Sequence, residues 1–73
     1  MTSKIRIVEA EKNQDSRPEY ALKVIRSLRQ QGHSDRGMAR LCGVHVRTVY
    51  RSLEVGFVKY PVQVTFELLA GLR

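Results

Sequence analysis

The stretch Ser34-Asp35-Arg36-Gly37-Met38-Ala39-Arg40-Leu41-Cys42-Gly43-Val44-His45-Val46-Arg47-Thr48-Val49-Tyr50-Arg51-Ser52-Leu53 decides the fold. Ser34 is of a type that caps the free backbone N–H groups of a first helical turn, and Gly43 breaks the helix it starts, which predicts a helix of about two turns over Asp35–Cys42. Apolar Val46, Val49, Tyr50 and Leu53 then recur at helical spacing and stop before Gly56, predicting a helix over His45–Val55. Helices this short are not stable alone, so the two must pack. In a helix-turn-helix the first helix needs a small residue where the axes approach, and the turn needs a glycine for its positive φ. Ala39 and Gly43 fit those roles, with Met38, Cys42, Val44 and Val49 as the small core around them. Ser52 stands where an apolar residue is commoner, and Leu53 is expected to take that place.

Upstream, Ser16-Arg17-Pro18-Glu19 reads as a helix start, with Ser16 as cap and Glu19 reciprocating. Ala21, Val24, Ile25 and Leu28 follow at helical spacing and Gly32 ends the run, predicting a helix over Pro18–Gln31. Residues 1–15 carry one short apolar cluster, Ile5, Ile7 and Val8, and read as a mostly flexible arm. Downstream, Val62, Val64, Phe66 and Leu68 alternate with polar residues as in a strand, whereas Pro61 at a first helical position and the helix formers Glu67, Leu68, Leu69 and Ala70 favour a helix, which is the expectation adopted. Such a helix is apolar on nearly all sides except Gln63 and Glu67, so one face is expected to cover the core and another to meet a second subunit. The fold expected is an all-α bundle of about four helices: an arm over 1–15 and one DNA-binding domain over 16–73. Its C-terminal helix is expected to pair two copies through Val64, Phe66, Leu68 and Leu72.

Seventy-three residues allow a single domain with a modest core, which makes oligomerisation expected. Cys42, the one cysteine, has no partner for a disulfide in the chain, which fits a reducing cytoplasm. No apolar run of the roughly 18 residues needed for a span occurs, and Lys4, Arg6 and Glu9 interrupt any signal-like segment. Thirteen Lys and Arg against seven Asp and Glu give a formal charge of +6, the footprint of a protein that binds a polyanion. Nine of those cations are Arg, whose planar fork takes phosphate or a guanine edge in two hydrogen bonds. No nucleophile and base pair, acidic pair or phosphate-cradling loop appears, and His33, His45 and Cys42 match no zinc spacing, so neither enzyme chemistry nor a metal, cofactor or small-molecule substrate is expected.

The exposed positions of the second motif helix are His45, Arg47, Thr48, Arg51 and part of Tyr50, and residues near its N-terminus reach base edges when such a helix enters the major groove. Arg47 is the first candidate for base reading, and Arg51, one turn on, can reach a base or a phosphate. Thr48 and Tyr50 can donate to phosphate or touch a thymine methyl, and Ser34 and Arg36 are candidates for phosphate contacts from the first motif helix. Arg40 is expected in solvent, and Tyr20, Phe57 and Tyr60 are expected to be packing residues. A different class stays open: a basic helical module that binds an acidic protein and reads no DNA.

Over roughly Asp15 to Leu72 the chain resembles the small phage and mobile-element repressors associated with anti-CRISPR genes. The likeness rests on Tyr20 in the first helix, Gly32-His33-Ser34-Asp35-Arg36, Gly43-Val44-His45-Val46-Arg47, and Pro61-Val62-Gln63-Val64-Thr65-Phe66-Glu67-Leu68-Leu69-Ala70. The resemblance implies an all-α homodimer in the bacterial host cytoplasm that binds inverted repeats in the promoter of its own operon and represses it. It also implies that Arg36 and Arg47 bind DNA. Where related proteins often carry a second basic residue after the first, this chain has Gly37.

Overall fold

A computed structural model of the chain describes residues 15–73, which form four α-helices and no strand. They are α1 (Pro18–Gln30), α2 (Asp35–Leu41), α3 (Val46–Val55) and α4 (Tyr60–Ala70). The arm expected over residues 1–15 lies outside the described residues, apart from Asp15.

Each predicted helix is present, and local chemistry accounts for the ends. Ser34 caps α2 as expected, its Oγ accepting from the Gly37 N–H at 2.9 Å. Ser16 does not cap α1: the N-cap is Arg17, without a side-chain cap bond. Asp15 holds that end instead, its carboxylate accepting from the Arg17 N–H at 3.0 Å and pairing with the Arg17 guanidinium at 2.8 Å. Pro18 at the first position has no N–H to satisfy, which lessens the need for a cap. The alternation in the C-terminal segment resolves as helix, with Pro61 in the first turn of α4.

α2 ends at the turn on which the motif depends. Gly43 takes φ 72°, which lets the Val44 N–H donate to the Ala39 carbonyl at 2.9 Å and the Gly43 N–H to that of Arg40 at 3.1 Å. Two carbonyls that would be orphaned at the helix end are thereby satisfied, and the chain turns at once into α3. Ala39, 2% exposed, sits at the close approach.

α1 packs against α3 and α4, and α2 packs mainly on α3. The core joins Val24, Ile25 and Leu28 of α1 to Met38, Val49 and Phe66. Phe57, from the loop between α3 and α4, completes it, its ring 6.1 Å from that of Tyr20 and 5.8 Å from that of Phe66. Burying an aromatic of this size contributes on the order of 3 kcal/mol, enough to fix the loop that carries it. Ser52 lies in the interior after all, with its hydroxyl donating to the Thr48 carbonyl at 2.6 Å, while Leu53 is half-buried beside the core. A serine serves there because the helix backbone supplies its partner.

α4 departs from expectation in orientation. Gln63 and Glu67, its most polar residues, face the interior, and Phe66 is fully buried in its own protomer. Phe66 is therefore not part of a subunit interface. The physical reason is that Phe66 and Ala70 share a helix side with Gln63 and Glu67, so packing Phe66 on Phe57 carries the polar pair inward. Both are satisfied there. The Tyr20 hydroxyl donates to Glu67 Oε2, the Arg73 guanidinium pairs with Glu67 Oε1 at 2.6 Å, and Gln63 accepts from the Asp15 N–H at 2.9 Å. Pro61, Val64, Thr65 and Leu68 make the opposite, outward stripe, while Leu72 lies past the helix end and the left-handed Gly71, in a groove beside Leu22 and Lys23 of α1. Leu68 is 58% and Leu72 48% exposed.

Candidate nucleic-acid interface

The outward face of the motif begins with caps. His45, the N-cap of α3, accepts from the Arg47 N–H through Nδ1 at 3.1 Å. With Nδ1 acting as acceptor, the neutral ring carries its proton on Nε2, which is left to donate outward. Along α3, Val49 and Ser52 point in, whereas Arg47, Arg51 and Glu54 form the exposed stripe at intervals of four and three. Thr48 and Tyr50 lie roughly 200° apart around the axis and so flank that stripe on opposite sides.

α2 brings a second row of cations. Arg36 and Arg40, both exposed, stand one turn apart and line one shallow groove with Ser34 and Gly37 and another with Val44 and His45. Of the predicted residues, the structure brings Arg36 and His45 to one groove and His45, Thr48 and Arg51 to another, while Arg47, exposed on α3, lines neither. Tyr50 faces the other way, close enough to Arg29 to act on its charge.

The electrostatics are segregated. Asp35, next in sequence to Arg36, is drawn off by Arg29 at the end of α1 in a two-point pair of 2.9 and 3.0 Å. Asp15 and Glu67 are engaged by Arg17 and Arg73. Among the described residues, Arg36, Arg40, Arg47, Arg51 and Lys59 have no carboxylate within ion-pair distance. That leaves one face of the motif predominantly basic, with Glu54 on the same stripe of α3 but in no ion pair with its arginines. Burial pushes the Cys42 thiol up, so it stays a protonated packing group at the end of α2.

Three residues matter here that the sequence reading passed over or placed elsewhere. Arg40 is exposed as expected but lines the Arg36 groove, and its signal was the four-residue spacing from Arg36. Glu54 shares the outward stripe of α3, where a carboxylate accepts from a cytosine amino group and repels phosphate. Lys59 joins the groove beside Arg51, a neighbourhood that depends on how the loop before α4 folds back and has no local signal.

The fold and face together define a small helix-turn-helix bundle with a basic outer surface. Comparisons with protein-family models, curated proteins and solved structures return no match.

Proposed function

We propose that the chain is a sequence-specific double-stranded DNA-binding protein that acts as a dimeric transcriptional repressor. The observation that carries this reading is the set of unpaired cations across α2 and α3, kept free because Arg29 withdraws Asp35 from their midst. α3 enters the major groove with Arg47 as base reader, taking guanine O6 and N7 together. Ser34, Arg36 and Arg40 hold the phosphate backbone from α2. Two copies related by a two-fold axis, set about 34 Å apart at their reading helices, match an inverted repeat. The outward apolar stripe of α4 supports that pairing through Val64 and Leu68, with the exposed Leu72 just past the helix end as a further contact. Control of an operon that carries an anti-CRISPR gene is the biological setting supplied by the resemblance.

The test is binding to the promoter region of the chain's own operon and to random duplex DNA, followed across salt concentrations. Arg47→Ala is expected to lose roughly 5- to 150-fold in preference for the operator, the equivalent of about 1–3 kcal/mol. Arg36→Ala weakens all sequences alike and makes the salt dependence shallower. A wild-type chain that gives no retarded complex with any fragment at about 0.15 M salt, or an Arg47→Ala variant with undiminished preference, overturns the reading.

A further inference from the structure

Between the start of α3, the loop after it and the first turn of α4 runs a groove of about 420 Å³. Its lining is largely apolar, with Val44, Val58 and Val62 beside Thr48 and Ser52, and His45, Arg51 and Lys59 also line it. Among the described residues neither Arg51 nor Lys59 has a carboxylate partner, and both are exposed. Val58 is 58% exposed, although its neighbour Phe57 is locked in the core. An apolar trough edged by nitrogen donors suits a chain whose own surface alternates apolar rings with anions, which is the form of a deoxyribose–phosphate strand.

Position on the molecule says which strand. The groove opens on the Thr48 side of α3, and Tyr50, on the other side, faces Arg29 and its partner Asp35 at the start of α2. A B-DNA major groove about 12 Å wide is bounded by two sugar–phosphate rims, so a helix lying in it meets one rim on each flank. Resting on the DNA reading above, we infer that this groove is a second backbone seat: Lys59 and Arg51 grip one strand, with its sugars on Val58 and Val62, while the Ser34–Arg36–Arg40 groove holds the other. The reading helix is then braced from both sides.

The experiment uses a duplex of random sequence, for which phosphate contacts supply essentially all the affinity, and measures fluorescence anisotropy between about 50 and about 200 mM salt. Lys59→Ala and Lys23→Ala each remove one positive charge, but Lys23 lies on α1 in a different groove. Lys59→Ala is expected to make the slope of log affinity against log salt shallower by about 0.9, the value of one lost phosphate contact. Lys23→Ala leaves the slope unchanged and Lys59→Arg restores it. Both lysines being exposed, melting curves of the variants should match the wild type. If Lys59→Ala and Lys23→Ala behave alike, the seat is overturned while the DNA reading stands. A wild-type chain with no affinity for duplex overturns both. Binding of polyglutamate that falls with Lys59→Ala as much as duplex binding does assigns the groove to an acidic polypeptide and overturns the seat.

Discussion

α3 and α4 are nearly the same length, 10 and 11 residues, and obey opposite rules. α3 follows the usual pattern of a surface helix, with Val49 on the core and Arg47 and Arg51 in solvent. α4 is turned over: Gln63 and Glu67 are inside, each with partners, and Leu68 is outside. Among the described residues no buried side-chain polar atom lacks a hydrogen bond, so the interior of α4 is complete as it stands. Its exterior is not, because Leu68, 58% exposed, forgoes roughly half of the 1.5–3 kcal/mol that full burial of such a side chain supplies. The contrast separates two roles. On the proposed function, α3 offers charge to a polyanion, and α4 offers an uncharged stripe of the kind a two-fold axis makes self-complementary.

The largest effect that sharpens this contrast comes from neighbouring residues on α4. Phe66→Ala empties a fully buried site and is expected to cost about 3–5 kcal/mol, read as an early denaturant midpoint. Leu68→Glu changes an outward residue and should leave the folded protomer within about 0.5 kcal/mol, while sedimentation is expected to show the proposed dimer giving way to monomer. Should Leu68→Glu unfold the protomer, or leave its association untouched, α4 is not inside out in the way described.

Next in size is the hinge between the two helices. Gly56 ends α3 at φ 86°, and a methyl group there would overlap the carbonyl of Ser16, which enters α1. Both strain and collision act against any side chain, so Gly56→Ala is expected to lose about 3 kcal/mol or more. In a domain of this size that corresponds to a melting temperature lower by roughly 12–24 °C. An unchanged melting curve would mean that the end of α3 is not held against the entry to α1 through this contact.

The difference between the helices also explains what the sequence discloses. Four helices, the Ser34 cap and the Gly43 turn are local chemistry, carried by residue type and spacing, and were readable. So was the outward position of Arg47 and Arg51, since α3 has one clear apolar side. The facing of α4 was not readable, because its apolar residues nearly encircle it and the choice was made by Tyr20, distant in sequence, and by how the loop carrying Phe57 folds back. The withdrawal of Asp35 by Arg29 and the approach of Lys59 to Arg51 likewise depend on how helices cross. Periodicity within one helix carries no trace of either.

The smallest effect probes the polar interior that makes α4 unusual. Burial and the hydrogen bond to Glu67 push the Tyr20 hydroxyl from its ordinary 10.0 up to about 12. Burial pushes Glu67 up, but the Tyr20 hydroxyl, Arg73 and Gln63 more than offset it and hold the carboxyl below its ordinary value. A tyrosine held protonated contributes stability below pH 10 that is lost as pH rises through about 12. A depressed carboxyl contributes stability above its ordinary value of 4.5, lost as pH falls through its lower folded one. Tyr20→Phe should therefore flatten the decline between pH 10 and about 12 relative to wild type. It also removes one donor from Glu67 while Arg73 and Gln63 remain, so the folded carboxyl moves back toward its ordinary value and the acid decline should become smaller. Denaturant midpoints across pH measure both limbs. Parallel curves for wild type and variant would show that Tyr20 and Glu67 do not share a proton-linked contact, and α4 would then need another reason for burying its polar side.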